Sequence, residues 1–216
     1  MRTCLILTGG SLDMEFAQKY IGGRTFHKII AVDAGLAKAH DLGLAVHAAV
    51  GDFDSLDQDT LENYRKKNGI EWDIHKPEKD ETDTELAIYT ALKSGCEEIV
   101  MLGAMGGRLD HTIGNLHLLY YCLEHGMAAC MVDEKNRVSV LNKGRAFKKD
   151  SQWGKYISFL PLTYEVKGIT LTGFKYPLYK KDIVIGPSLC ISNEIEEEEA
   201  LLEFTEGVLI CVESRD

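Results

Sequence analysis

Three polar clusters in the first 111 residues combine side chains suited to hard cations and phosphate. The first is Gly51-Asp52-Phe53-Asp54-Ser55, directly after the apolar run Ala48-Ala49-Val50. Two carboxylates separated by one residue can face a shared point if the chain stays extended, which suits an oxygen-seeking cation. Asp54 or Ser55 could instead cap a helix beginning near Leu56. That alternative uses one carboxylate and leaves Asp52 without a role. The second cluster runs from Lys76 to Glu85 and leads into a helix carrying Leu86, Tyr89 and Leu92. Thr82 and Glu85 fit a capping box there, and a carboxylate such as Asp83 in a first helical turn is favoured by the helix dipole. Capping leaves Asp80 and Asp83 unused.

The third cluster is Gly103-Ala104-Met105-Gly106-Gly107-Arg108-Leu109-Asp110-His111. Its glycines allow close backbone approach to phosphate, Arg108 offers a planar fork for phosphate oxygens, and Asp110 adds a carboxylate. His111 is either a proton shuttle or a residue at the start of a helix that orients a neighbour. Asp33 and the Thr8-Gly9-Gly10 turn also follow apolar runs, although each alone is ordinary turn chemistry.

These clusters need elements to carry them. Apolar runs at Thr3–Leu7, Lys28–Val32, Ala45–Val50, Ile70–Ile74, Ile99–Leu102 and Ala128–Val132 alternate with stretches long enough for crossover helices. This pattern predicts a mostly parallel sheet with helices on both faces, a Rossmann-like α/β domain over residues 1–135. The clusters fall where strands end, the edge at which open α/β sheets build their crevices. Beyond that point, short runs at Val138–Leu141, Tyr156–Leu160, Ile169–Leu171, Ile183–Ile185 and Val208–Val212 predict an all-β sandwich over 136–216. A unit of that size is small for an independent core, so it is expected to pack against the first half or another subunit.

Acidic residues outnumber basic ones 34 to 24 and no basic stripe compensates, which argues against nucleic acid as a partner. The apolar stretch ending at Leu7 is too short for a signal peptide or a membrane span, so a cytoplasmic protein away from membranes is expected. Six cysteines without a CxxC pair are expected to be reduced core residues. The chain has no G-x-x-x-x-G-K-[ST] loop, no G-x-G-x-x-G fingerprint, no G-x-S-x-G elbow and no H-E-x-x-H helix. An ATP site must therefore be of another type.

In order and spacing the clusters resemble the thiamine pyrophosphokinase family: Gly-Asp-Phe-Asp-Ser, then Asp-x-Thr-Asp, then Gly-Gly-Arg-x-Asp-His. The segments Gly168–Leu178 and Ile191-Ser192-Asn193-Glu194 are similar to the family's thiamine-binding β-domain, although Phe174-Lys175-Tyr176-Pro177 departs from some relatives. The Glu-rich stretch through Glu199 reads as a solvated acidic turn. The resemblance implies that Asp52, Asp54, Asp83 and Asp110 hold Mg2+ and form the diphosphate-transfer centre, with Arg108 on phosphate. It further implies nucleotide contacts at Gly9, Gly10, Asp33, Asp80, Thr82, Arg108 and His111, and thiamine contacts at Ser192 and Asn193. ATP is the implied co-substrate, and a homodimer with the thiamine site shared between subunits is the implied assembly. Two other classes compete: a magnesium-dependent nucleotide phosphohydrolase and a non-catalytic thiamine-binding module.

Overall fold

In the first half of the chain, continuous apolar runs are buried on both faces, as strands inside a parallel sheet must be. The computed structural model describes residues 1–54, 56–66, 69–74 and 80–216, apart from the side chain of residue 58. Its two compact units are Met1–Glu134 and Lys135–Asp216.

The first unit alternates β1 (Thr3–Leu7), α1 (Met14–Ile21), β2 (Lys28–Val32), α2 (Gly35–Asp41), β3 (Ala48–Gly51), α3 (Gln58–Arg65), β4 (Glu71–Ile74), α4 (Asp83–Lys93), β5 (Glu98–Leu102), α5 (Leu109–Glu124) and β6 (Ala128–Val132). All strand pairs are parallel, in the order β4-β3-β2-β1-β5-β6. The chain thus walks outward from β1 to β4 and then returns to β5 on the other side of β1. Right-handed crossovers put α1–α3 on one face and α4–α5 on the other. In keeping with this, α2 packs on β1 and β2, while α4 packs on β2 and β3 and touches α5.

The reversal of direction between β1 and β5 creates a switch point, where no crossover covers the carboxyl ends of the two strands. The β1 turn and the β5 turn meet there. Thr8 N–H donates to Leu102 O at 2.9 Å. A Cβ on Gly10 would collide with the Gly103 carbonyl oxygen, so the two turns approach at a distance only glycine permits.

The second unit contains β7 (Asn136–Leu141), β8 (Arg145–Lys148), β9 (Tyr156–Pro161), β10 (Glu165–Thr172), β11 (Leu178–Val184), β12 (Glu199–Glu203) and β13 (Leu209–Ser214). Antiparallel pairing links β7, β13 and β9, and separately β11, β10, β12 and β8. Residues from both sheets share one core, in which Phe159 lies 5.8 Å from the rings of both Phe147 and Phe174, edge-on to the latter.

Most expected strands are present, with shifted ends. The run expected from Ala45 pairs only from Ala48 and extends to Gly51, and β4 begins at Glu71. Two strands were not expected, β8 and β12. The latter begins inside the acidic stretch, whose members Glu196–Glu199 are exposed, and alternates outward Glu199, Leu201 and Glu203 with buried Ala200 and Leu202. Among the described residues no helix is long and apolar enough to cross a membrane. All six cysteines are free, five of them buried.

Phe159 is fully buried, so Phe159→Ala should cost about 3–5 kcal/mol in the unfolding of the second unit, followed by chemical denaturation. A change below about 1 kcal/mol would show that the two sheets do not share a close-packed core.

Candidate active site

The switch point opens into a crevice of ≈ 860 Å³, within the range of about 300–1,000 Å³ for small-ligand sites. Its walls come from the turns after β1, β2, β3 and β5 and from the start of α4. Gly9, Gly10, Asp33, Asp52, Thr82, Asp83, Arg108 and His111, eight residues singled out in the sequence, line it. Asp54, Asp80 and Asp110 are exposed on the same strand-end edge, outside that lining. Ser55 and residues 75–79 lie outside the described residues.

One wall is acidic. Asp33 adopts φ 46, a left-handed conformation that few non-glycine residues take, and strain of this kind concentrates at functional sites. Its carboxyl is pushed up from 3.8 to about 7, chiefly by burial, then by the charge of Asp83 and a hydrogen bond shared with it, and then by Asp52. A backbone hydrogen bond from Phe53 opposes the rise. Oδ1 of Asp33 is buried without a hydrogen-bond partner and lies where a Cβ on Gly51 would stand. Gly51 has φ 135, so a side chain at this position is excluded by both conformation and space. Phe53 is left-handed as well (φ 59), buried, and packed edge-on against Trp72 at 5.4 Å. These contacts anchor the loop carrying Asp52.

Asp52 Oδ1 accepts the Asp54 N–H at 3.0 Å, a local turn that aims Asp54 outward. Asp54 is not the cap of the next helix. Asp57 is the N-cap of α3 and accepts Thr60 N–H at 2.8 Å. Thr82 does cap α4, accepting Glu85 N–H at 3.2 Å, while the Glu85 carboxylate is taken by the Tyr89 hydroxyl.

The opposite wall carries Arg108, which holds Asp110 through Nε–Oδ1 at 3.1 Å and Nη2–Oδ2 at 2.6 Å. That pairing keeps the Asp110 carboxyl down at about 2. Both side chains are solvent-exposed, so the pair is easily opened to an incoming anion. His111 N–H donates to Asp110 Oδ1 at 2.9 Å.

Two polar lining residues, Asn115 and Ser11, were not singled out in the sequence. Asn115 is buried and its Nδ2 donates to Ala104 O at 2.9 Å, bracing the β5 turn. A signal for it existed, because Asn115, Leu119 and Cys122 form one buried stripe of α5 and a polar residue in such a stripe needs a partner. Ser11, the other, extends the β1 turn along the crevice.

In the second unit, Ser192 is exposed and left-handed (φ 57), two residues after left-handed Cys190 (φ 74). Its N–H donates to Ser158 Oγ at 2.9 Å. Asn193 is buried, and its side chain is committed to the fold. Oδ1 accepts the N–H groups of Tyr176 (3.0 Å) and Glu194 (2.9 Å), and Nδ2 donates to Tyr176 O at 2.9 Å. Asn193 therefore ties the Phe174–Pro177 segment to the Ser192 turn.

The carboxylates Asp33, Asp52 and Asp83 are the donor type a hard cation takes, and the partnerless Asp33 oxygen fits a site that gains from one. Among the described residues no three side chains are gathered at ligand distance around one point, so cation binding would draw Asp52 and Asp83 together.

An open parallel sheet with glycine turns and carboxylates at its switch point, joined to a β-sandwich, defines a doubly wound ligand-binding protein with an accessory β-domain. The family model described as "Thiamin pyrophosphokinase, catalytic domain" matches residues 24–131, and "Thiamin pyrophosphokinase, vitamin B1 binding domain" matches 146–209. Thiamine pyrophosphokinase of Bacillus subtilis (strain 168) is 33% identical over 217 residues, covering 100% of both chains. Crystal structures of thiamine pyrophosphokinases superpose well. The Bacillus subtilis one has TM-score 0.89 at 32% identity, covering 99% of each chain. The Geobacillus thermodenitrificans one has TM-score 0.86 at 32% identity, covering 99% of this chain and 98% of that one. The chain belongs to the thiamin pyrophosphokinase family.

The raised Asp33 carboxyl has a consequence for stability. Between pH of about 4 and about 7 the folded chain holds a proton at Asp33 that the unfolded chain has released, so this group's contribution to stability falls as pH rises through that window. In chelator, Asp33→Asn should flatten that part of the stability profile, read as denaturation midpoint against pH. An identical slope in wild type and variant would contradict the buried, proton-sharing assignment.

Proposed function

We propose that the crevice carries out thiamine diphosphokinase chemistry: the primary hydroxyl of thiamine attacks the β-phosphorus of ATP, thiamine diphosphate forms and AMP leaves. One observation carries the placement. The glycine turns of β1 and β5 line a crevice between an acidic wall of Asp33, Asp52 and Asp83 and the cationic fork of Arg108.

Diphosphate transfer depends on positioning and charge neutralisation more than on covalent help from the protein. Asp52 and Asp83 would hold Mg2+, with Asp54 and Asp110 on the same edge. Bound there, the ion would neutralise charge on the polyphosphate. Arg108, now paired with Asp110, would offer its fork to the phosphate oxygens, and Asp110 would then be available as a further oxygen ligand for the cation. Gly9 and Gly10 let the polyphosphate approach backbone closely, and Asp33, Asp80, Thr82 and His111 border the nucleotide. In the second unit, Ser192 is held outward in a strained turn to meet thiamine, and Asn193 acts by fixing that turn. The working enzyme is a homodimer. It resides in the cytoplasm, in keeping with six free cysteines.

Incubation with ATP, magnesium and thiamine should yield AMP and thiamine diphosphate one for one. Release of inorganic phosphate without transfer would make the site a phosphohydrolase, and binding without turnover would make it a binding module. Asp52→Asn retains an oxygen for the Asp54 N–H and removes the charge and one ligand oxygen, so it should fold normally and lose at least about a hundredfold in kcat. Near-normal kcat in that variant would sink the assignment of Asp52. Activity should also vanish on chelation and return in part with manganese, which shares magnesium's oxygen ligands and six-coordinate geometry. Full activity after exhaustive chelation would be the contrary result.

A further inference from the structure

Lys38 takes no part in the chemistry above, yet the fold delivers its ammonium group to the switch point. It stands on α2, half-buried, and its Nζ donates to Thr8 O at 2.9 Å and to Gly10 O. It also lies against the other turn, since a Cβ on Gly103 would stand 3.3 Å from Nζ. Burial lowers the pKa of this lysine. A desolvated cation so placed must be offset by dipoles or by an anion.

The two carbonyls it grips fix more than themselves. In a planar trans peptide the N–H points opposite to the C=O. With Thr8 O and Gly10 O turned toward Nζ, the N–H groups of the same two peptide planes, those of Gly9 and Ser11, point away from the lysine. Gly9 and Ser11 both line the crevice, and neither N–H donates to a described backbone acceptor. Successive backbone N–H groups arranged in this way form concavities that bind anions.

We propose that Lys38 is a positioning residue that locks these two peptide planes, presenting the Gly9 and Ser11 N–H groups to the crevice as paired donors for the anionic oxygens of the nucleotide. The inference rests on the reading that the crevice takes ATP, and it deepens that reading by assigning which backbone groups meet the polyphosphate and which side chain aims them. Lys38 touches backbone and not the reacting atoms, so its loss weakens ground state and transition state alike. The signature is a raised KM for ATP with kcat little changed.

The test uses the full chain labelled with nitrogen-15 and titrated with a non-hydrolysable ATP analogue and magnesium. The amide resonances of Gly9 and Ser11 are expected to shift strongly in the wild type and weakly in Lys38→Met. In steady-state turnover, Lys38→Met should raise the KM for ATP at least about tenfold, the scale of one hydrogen bond to a charged group, while leaving the KM for thiamine unchanged. Lys38→Arg, which keeps charge and donors, should restore much of the loss. Wild-type amides of Gly9 and Ser11 that stay fixed at saturation would overturn the proposal, and so would a Lys38→Met protein with wild-type KM for ATP. If Lys38→Met does not fold, the wild-type titration decides alone. Amide shifts in a wild type that never converts thiamine would support the role of Lys38 and count instead against the proposed reaction.

Discussion

The contact on which the site depends is between two pieces of backbone. The chain passes Gly10 so close to the carbonyl of Gly103 that no Cβ fits between them. Thr8 N–H ties the same two turns together from below. Because β1 and β5 are neighbours whose crossovers leave in opposite directions, no connection covers their ends. Bulkier turns would fill that opening with side chains. Glycine turns leave it lined by peptide groups, which bind phosphate without carrying negative charge to it.

Around this opening the charges are arranged so that none is fully settled. Burial, and then the nearby charges of Asp83 and Asp52, hold the Asp33 proton well above the usual carboxylate range. Arg108 and Asp110 neutralise each other only at the surface, where solvent holds such pairs weakly. A cation relieves the first arrangement, and an anion competes well in the second. The left-handed conformations of Asp33 and Phe53 belong to the same design, since they turn the strand ends toward the crevice at a local cost that the buried Phe53–Trp72 packing offsets.

Much of this was legible in the residues because it is local. Parallel strands advertise themselves as unbroken apolar runs, and the cap at Thr82 is specified by residues three apart. The short strands β8 and β12 were not legible, since each offers one or two inward apolar residues among charged ones. Nor was the union of Asp33 with Asp83. Asp33 follows β2 and Asp83 opens α4, and only the tertiary packing of α4 on β2 and β3 brings them together. Asn193 shows the same limit from the other side. Its motif drew attention to a ligand role, whereas its amide is spent on Tyr176 and Glu194, partners that spacing alone does not identify.

If the close approach of the two turns is what makes this opening a nucleotide site, adding one methyl group there should abolish it. Gly10 is the position to test because its φ is not in the left-handed region and what objects to a methyl group there is the β5 turn, the Gly103 carbonyl above all and the Gly106 carbonyl oxygen at 3.3 Å. The measurement is the affinity of Gly10→Ala for ATP with magnesium by titration calorimetry, on protein whose first unit unfolds as in the wild type. A loss of at least about tenfold, or 1.4 kcal/mol, is the predicted result. Wild-type affinity in that variant would contradict the account, because the nucleotide would then bind somewhere the two glycine turns do not shape.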